Sequence, residues 1–278
     1  IAVMDQKILE LLNRIYPVDF TKVEAVTNEM YRCTATQGEY FARITNYKSH
    51  DEQVEEVTYT NYLHKEGLGV SPTIVSINGK EVEKIILNNK EVLTVLYEAA
   101  PGKHLARIQW NATVLKELGR QIGKLHRLSR KFEQIHPTRY INDWYQNEEY
   151  AFLKYIPEEE TKIRAVAQEI LTKIKNMPKD NTNYGLLHGD LWLENVVVDQ
   201  DLKLTMVDFQ DCEKHFYIFD LAVPIYSAIE YSFVGGGNII DYGRGITKAI
   251  IEGYQEENDL PKEMLEKLPL FIKLKEVF

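Results

Sequence analysis

Three polar residues about two thirds of the way along the chain have the types and spacing that phosphoryl transfer requires. The segment 188–195 reads His-Gly-Asp-Leu-Trp-Leu-Glu-Asn, so Asp190 precedes Asn195 by five positions, and Asp208 follows thirteen residues later. One carboxylate can accept the proton of an attacking hydroxyl, while an amide and a second carboxylate hold Mg²⁺ on nucleotide phosphates. The pattern therefore predicts a phosphoryl-transfer site with Asp190 as base and with Asn195 and Asp208 as metal ligands.

The residues between the two predicted ligands indicate a hairpin. A β-branched run at 196–198 is typical of a strand, Asp-Gln-Asp at 199–201 is typical of a turn, and 202–207 reads as a second strand. Because paired antiparallel strands begin and end side by side, Asn195 and Asp208 should meet at one end. Two oxygen ligands suit Mg²⁺, which completes its octahedron with water and phosphate oxygens.

The bulk composition excludes several classes of protein. The chain has 278 residues, 44% apolar and 27% charged, which suffices for one large domain or two lobes. No stretch approaches about twenty uninterrupted apolar residues, and no signal-peptide pattern begins the sequence, so neither a membrane partner nor secretion is expected. Cys33 and Cys212 are the only cysteines, which favours a reducing, cytoplasmic location. The net charge of −9 disfavours nucleic acid and weakly favours a cationic substrate.

The first third of the chain reads as a small sheet with helices. Ser49 is a candidate N-cap with Glu52 three residues later, and the loop 27–29 between the first two strands has no glycine. Helices are predicted over 4–15 and from residue 49 or 50 to 65, and strands over 22–26, 30–35, 40–45, 82–87 and 92–97.

The rest of the chain reads as mainly helical. Helices are predicted from Asn111 onward and over 158–176, 217–233, 239–257 and 261–276, with Gly235 to Gly237 between the third and fourth of these. His126 falls on the apolar face of the helix predicted from Asn111 onward, where packing or hydrogen bonding in the core is more typical than catalysis. The apolar C-terminal residues favour a natural protein that continues further.

The segments 188–195 and 208–211 resemble the aminoglycoside phosphotransferase and choline kinase family, the small-molecule relatives of eukaryotic protein kinases. Members carry His-Gly-Asp-x-x-x-x-Asn, followed by an Asp at a strand end. Protein kinases have Arg where Gly189 stands and Gly where Gln210 stands, so the small-molecule branch fits better. The resemblance also identifies Asp220 with an acid that ties the catalytic loop down.

The resemblance implies a bilobal, protein-kinase-like α+β fold. Residues 1–98 would form a small lobe with an antiparallel sheet and one helix, which binds the nucleotide. Residues 99–278 would form a larger, mainly helical lobe that carries catalysis and the substrate. The implied cofactors are ATP and Mg²⁺, and the implied partner is a small molecule with a hydroxyl acceptor group.

Two charged residues are matched to the phosphates by this resemblance. Arg43 stands on the third strand where the family most often has Lys, and its planar fork can bind phosphate. Glu56 matches the helical Glu that pairs with this cation, although Glu52 and Glu55 compete for that assignment.

The remaining implied contacts involve the main chain. Adenine would pair with the hinge between the lobes, from Glu98 to Ala100. The glycine-free loop 27–29 leaves open whether its amides or side chains reach phosphate or whether it is an ordinary turn. His188 belongs to the predicted catalytic group, and hydrogen bonding to the backbone is favoured as its role.

The acceptor is predicted only by class. Aromatic residues over 144–155 and 226–233 could attract a cation, although core packing explains them equally well. An amine-bearing alcohol of aminoglycoside, choline, homoserine or amino-sugar type is expected. The stretch 56–63 favours homoserine-kinase-like and spore-coat-associated bacterial members over resistance enzymes.

Two alternatives stay open. One is a Ser/Thr protein kinase of the same superfamily, and the other is a catalytically silent nucleotide-binding or coat protein. The intact Asp190, Asn195 and Asp208 oppose the second, whereas Arg43 and the missing glycine loop mildly favour it. A homodimer is also left open.

Overall fold

The structure is a computed structural model, and it describes residues 2–151, 154–232 and 238–278. The chain divides into two compact units, Ile1–Pro101 and Gly102–Phe278. Among the described residues, no helix combines the length and apolar character needed to cross a bilayer.

The first unit is built on an antiparallel sheet. Its strands lie in the order β1-β2-β3-β6-β4, and β5 also pairs with β6. The strands are β1 Phe20–Ala25, β2 Met30–Ala35, β3 Gly38–Thr45, β4 Thr73–Ile74, β5 Glu83–Leu87 and β6 Lys90–Glu98, and the helices are α1 Ala2–Ile15 and α2 His50–Lys65. Each predicted strand is confirmed to within two residues at its ends, and β4 is an addition.

Helix α2 begins where its sequence predicts. The hydroxyl of Ser49 accepts a hydrogen bond from the amide of Glu52 at 3.1 Å, which satisfies one of the amides exposed at a helix start. Val57 and Leu63 are buried, and Gly67, with a φ of 88°, follows the helix end. This anchoring fixes the direction in which the side chain of Glu56 leaves the helix.

The second unit is mainly helical, with two small two-stranded sheets. Strand β7 pairs with β10, and β8 pairs with β9, both antiparallel. The helices are α3 Ala112–Ile135, α4 Thr161–Lys175, α5 Phe219–Ser227, α6 Ile239–Glu257, α7 Lys262–Leu265 and α8 Leu268–Val277, and the strands are β7 Tyr184–Leu187, β8 Val196–Val198, β9 Leu204–Met206 and β10 Glu213–Phe216. A π-helical segment, Ala228–Ser232, continues α5.

Helices α3 and α6 pack closely against each other. The side chain of Asn111 caps α3 by accepting a hydrogen bond from the amide of Val114 at 3.1 Å. A Cβ added at Gly119 would collide with the carbonyl group of Ile250, so the contact depends on the absence of a side chain there. This close approach places a buried face of α3 beside α6.

Three predicted element bounds are wrong. The helix predicted over 158–176 begins only at Thr161, because the preceding residues form a turn in which the amide of Glu160 donates to the carbonyl of Pro157 at 3.1 Å. The helix predicted over 261–276 is interrupted before α8, since Pro269 has no N–H to give and its ring crowds the carbonyl four residues earlier. The strand predicted over 202–207 is shorter, because Leu202 has a φ of 60°. The predicted Gly235 to Gly237 linker and Phe233 lie outside the described residues.

Candidate active site

The catalytic loop joins Asp190 to Asn195 directly. The amide nitrogen of Asn195 donates to the carbonyl oxygen of Asp190 at 2.7 Å and to its carboxylate at 3.3 Å. A short 3₁₀ turn, Leu193–Asn195, shortens the path between them, and the backbone amide of Asn195 bonds the carbonyl of Trp192 at 2.8 Å. With its amide nitrogen turned to Asp190, Asn195 presents its oxygen elsewhere, which is the atom a hard cation would bind.

The predicted hairpin is confirmed, and it brings Asp208 to the same end as Asn195. Residues 196–198 pair with residues 204–206, and the amide of Val207 donates to the carbonyl of Asn195 at 2.9 Å. Asp208, the next residue, has a φ of 62°. Asp tolerates this left-handed conformation better than most residues, and such strain is concentrated at functional sites.

Both ring nitrogens of His188 bind the backbone of this region. The amide of Asp190 approaches Nδ1 at 3.1 Å, and Nε2 lies 2.9 Å from the carbonyl of Val207. An amide can only donate, so Nδ1 is the acceptor and the ring proton resides on Nε2. The His188 side chain therefore links the catalytic loop to the hairpin and orients Asp190.

Asp220 ties the loop down from the start of α5, as the family resemblance implies. Its carboxylate accepts from the amides of His188 at 3.0 Å and Gly189 at 2.9 Å, and it contacts Nε2 of His126 at 2.8 Å. Burial alone would raise the pKa of Asp220, but the hydrogen bonds from His126 and from the amide of Gly189 contribute to outweighing it, so the pKa lies below its usual value.

The chain of buried hydrogen bonds continues beyond His126. Nδ1 of His126 lies 2.7 Å from the hydroxyl of Tyr254 on α6, and that hydroxyl accepts from the side-chain amide of Asn258 at 2.8 Å. The prediction that His126 hydrogen-bonds in the core is confirmed. Tyr254 was missed, because nothing local in the sequence marks an α6 tyrosine as a partner of α3.

Gly189 is required by two constraints at once. Its φ is 88°, and a Cβ there would lie 2.5 Å from the carbonyl oxygen of Asp211. Gly79 is a matched control, because its φ of 75° is similar but a Cβ there would meet nothing within 4 Å.

Gly189→Ala should therefore abolish most turnover, whereas Gly79→Ala should keep it. Each substitution costs about 1–2 kcal/mol for its left-handed backbone, and only the first also displaces Asp211 and the loop that holds Asp190. Steady-state turnover and thermal unfolding of both variants would check this. Equal turnover in the two variants would show that the contact with Asp211 does not matter.

Several charged groups surround Asp190. Burial raises the pKa of Asp190 to about 7, the carboxylate of Asp211 adds to the effect, Lys275 opposes it, and Asp208 and Glu149 raise it further. A carboxyl group with a pKa in this range is suited to accept a proton near neutral pH. The charge of Asp208 therefore acts on Asp190, as expected of two acids at one site.

An aromatic and a cationic group lie beside this acidic cluster. The ammonium of Lys275 on α8 lies 5.0 Å from the centre of the Trp192 ring, within the range of a cation–π contact. The Trp192 ring in turn meets Tyr226 edge to face at 5.9 Å. Lys275 and Glu149 were missed, because only the fold brings the last helix and a 3₁₀ turn to the catalytic loop.

The predicted aromatic segment 144–155 divides into buried and exposed rings where it is described, since Tyr145 and Tyr155 are 43% and 59% exposed. Trp144 and Tyr150 are buried, and the Trp144 ring stacks on His215 at 4.6 Å with an interplanar angle of 6°. Core packing therefore explains these two residues. Phe152 lies outside the described residues.

In the first unit, Arg43 and Glu56 form a buried ion pair. Nη1 of Arg43 lies 3.0 Å from Oε2 of Glu56, and the two side chains are 4% and 1% exposed. Lys48 binds the other carboxylate oxygen of Glu56. Burial would raise the pKa of Glu56, but the charges of Lys48 and then Arg43 outweigh it and hold the pKa below its usual value. Lys48 was missed because it stands outside any predicted element.

Some of the groups predicted to contact the nucleotide in the hinge and in the loop 27–29 already form hydrogen bonds within the protein. The amide of Glu98 donates to the carbonyl of Pro72 at 3.1 Å, and the amide of Ala99 donates to that of Glu39 at 3.2 Å. In the loop 27–29, the hydroxyl of Thr27 accepts from the amides of residues 29 and 30 at 3.1 and 3.0 Å. Thr27 therefore closes a hairpin turn, which is the simpler of the two readings of this loop.

Comparison with known proteins identifies the family. The sequence model of the phosphotransferase enzyme family (APH) matches residues 19–243. The chain belongs to this phosphotransferase family, as the sequence motifs predicted. It is also 30% identical over 251 residues to the amicoumacin kinase of Bacillus subtilis (strain 168), covering 89% of this chain and 74% of that protein.

Solved structures confirm the predicted protein-kinase-like α+β fold. An amicoumacin kinase in complex with AMP-PNP, Ca²⁺ and Ami superposes with a TM-score of 0.89 at 26% identity, over 98% of this chain and 83% of that one. A microcompartment-associated aminopropanol kinase has a TM-score of 0.78 at 19% identity, over 98% of this chain and 87% of that one. The choline kinase of Streptococcus pneumoniae has a TM-score of 0.62 at 14% identity, with 98% and 89% covered.

Proposed function

We propose that this protein transfers the γ-phosphoryl group of ATP to a hydroxyl of a small, amine-bearing molecule. The observation that carries the proposal is the loop in which Asn195 holds both the carbonyl and the carboxylate of Asp190, with the hairpin bringing Asp208 to the same end. This arrangement supplies a base and two metal ligands within one short segment.

Asp190 is the proposed base. The acceptor oxygen bonds to the γ-phosphorus as the bond from that phosphorus to the bridging oxygen breaks, Asp190 takes the acceptor's proton, and ADP leaves. His188 orients Asp190 through its two backbone hydrogen bonds. Asp220 holds the loop through the amides of His188 and Gly189, so that positioning supplies much of the acceleration.

Asn195 and Asp208 are the proposed ligands of Mg²⁺. An amide oxygen and a carboxylate suit this hard cation, which keeps several waters and phosphate oxygens in its octahedron. Within the described part of the chain, no three His, Cys, Asp or Glu side chains are arranged to hold a metal by themselves, which fits a metal that arrives with its nucleotide. When bound, Mg²⁺ neutralises negative charge on the phosphates.

Residues of the first unit are the proposed nucleotide contacts. Arg43 and Glu56 form the charged pair expected near the phosphates, and the hinge from Glu98 to Ala100 is the expected adenine contact. Because the amides of Glu98 and Ala99 already bond within the sheet region, Ala100 is the preferred amide donor to adenine. A similar amicoumacin kinase was solved in complex with AMP-PNP and Ca²⁺, which supports an adenine nucleotide as the ligand.

An amine on the acceptor is supported by the charges near Asp190. Asp211, Asp208 and Glu149 all act on its carboxyl group, and the Trp192 ring already has the ammonium of Lys275 against it. Aromatic faces and carboxylates both attract ammonium groups. The names of similar proteins point the same way, since one acts on aminopropanol and another on choline. A cytoplasmic location and a homodimer stay predictions.

A panel of acceptors would test this proposal. We expect magnesium-dependent ATP consumption with amino alcohols, amino sugars or amine-bearing antibiotics, and much less with the matched compounds in which hydrogen or hydroxyl replaces the amine. Product mass should increase by one phosphoryl group. Equal rates with and without the amine would contradict the acceptor class. Broad phosphorylation of Ser and Thr peptides would favour a protein kinase, and no ATP consumption with any acceptor would favour the silent alternative.

A further inference from the structure

The carboxylate of Glu56 on α2 binds two cationic side chains, one at each oxygen. Its Oε2 accepts from Nη1 of Arg43 and from the side-chain amide of Gln53, both at 3.0 Å, and its Oε1 is bound by Nζ of Lys48. The sequence predicts only the pair with Arg43. A single cationic partner already compensates the charge of a buried carboxylate, so the second cation is available for another role.

The two cations differ in their surroundings. Arg43 lies within β3, its side chain is 4% exposed, and its guanidinium lies 5.6 Å from the centre of the Tyr97 ring on β6. Lys48 lies in the connection between β3 and α2, and its side chain is 13% exposed. Arg43 is therefore built into the packed sheet, whereas Lys48 reaches the same carboxylate from the rim of the unit.

The ammonium of Lys48 and the guanidinium of Arg43 also differ in how well each can bind a phosphate. An ammonium has three N–H groups on one nitrogen, so it can bind a carboxylate and a phosphate oxygen together. Lysine is a common phosphate ligand that acts as a compact point charge. A guanidinium that is bonded to Glu56 and lies over the Tyr97 ring is held in one orientation, which suits it to position Glu56.

We propose that Lys48, and not Arg43, supplies the side-chain cation that contacts the nucleotide phosphates. Arg43 is then a positioning residue that fixes Glu56, and Glu56 in turn fixes the ammonium of Lys48. This inference rests on the proposed nucleotide-dependent function and changes which residue performs the phosphate contact.

The test is a series of nucleotides that differ in phosphate number. Dissociation constants for ATP, ADP, AMP and adenosine are measured with Mg²⁺ for the full chain, for Lys48→Met and for Lys48→Arg. Met preserves the length of the side chain and removes its charge. The matched control is Lys65→Met, which removes an exposed lysine from the last turn of α2, the helix that carries Glu56.

We expect Lys48→Met to lose about tenfold or more in affinity for ATP and ADP, the scale of one charged hydrogen bond, with adenosine affinity unchanged. Lys48→Arg should keep most of the affinity, Lys65→Met all of it, and Arg43→Lys should bind ATP more tightly than Lys48→Met does. Thermal unfolding of each variant establishes that it is folded.

Two results would overturn the inference. The first is that Lys48→Met binds ATP as tightly as the unaltered chain, and the second is that it loses ATP and adenosine affinity equally. Either result would leave the proposed kinase function intact, provided that the unaltered chain binds ATP. If the unaltered chain bound none of the nucleotides, both the inference and the proposed function would fail.

Discussion

Asp190→Asn should lower turnover by roughly 10²–10⁴-fold, the contribution that a positioned general base makes, while nucleotide binding survives. Asn has the size of Asp but cannot accept the acceptor's proton. Asn195 should stay in place, because its shorter hydrogen bond, 2.7 Å, is made to the backbone carbonyl of residue 190, which the substitution keeps. Steady-state kinetics with the best acceptor of the panel and calorimetric titration with Mg-ATP would measure the two effects.

Asp211 offers a matched control for this experiment. Its carboxylate also lies close enough to raise the pKa of Asp190, but it stands outside the loop that joins Asp190 to Asn195. Asp211→Asn should change the apparent affinity for the acceptor more than it changes kcat. If Asp190→Asn kept full turnover, Asp190 would not be the base, and the proposed mechanism would need another proton acceptor.

The sequence predicts the central part of this site because its components are local. Asp190, Asn195 and Asp208 lie within one loop and one hairpin, and short-range rules for strands and turns suffice to bring them together. The backbone conformation of Asp208 was not predictable, since no propensity rule selects a φ of 62° for an aspartate after a strand.

Residues that meet only through tertiary packing were missed for a physical reason. His126 and Tyr254 are 128 positions apart, and Lys275 reaches Trp192 from the last helix. Periodicity indicates which face of a helix is apolar, but it does not say which other element that face meets. The family resemblance predicted the role of Asp220, whereas the places of Lys48, Glu149 and Lys275 are visible only in the folded structure.

The helix ends show the same limit at shorter range. Ser49 and Asn111 predict helix starts correctly, because a capping side chain acts within its own turn. The break before α8 was also encoded locally, in Pro269, but the apolar spacing around it masked the signal. Where spacing and backbone chemistry disagree, the lost hydrogen bond of proline is the stronger effect, at about 3 kcal/mol.

Asp208→Ala should weaken the binding of Mg-ATP while leaving the affinity for metal-free ATP nearly unchanged. Groups that only support a metal ligand already contribute about 10–100-fold to metal affinity, so removing the ligand itself should cost at least as much. Calorimetric titrations with ATP in Mg²⁺ and in a chelator would separate the two affinities.

Asp208→Asn is the control that separates charge from backbone strain. Residue 208 has a φ of 62°, a conformation that Asn adopts readily and Ala does not. If the carboxylate binds the metal, both variants should lose Mg-ATP affinity, and only Asp208→Ala should also lower the melting temperature. If only Asp208→Ala lost affinity, the negative charge of residue 208 would not be required, and the loss would come from its missing side-chain oxygen or from the backbone of the hairpin end. Unchanged Mg-ATP affinity in both variants would exclude Asp208 as a metal ligand and leave Asn195 to be tested alone.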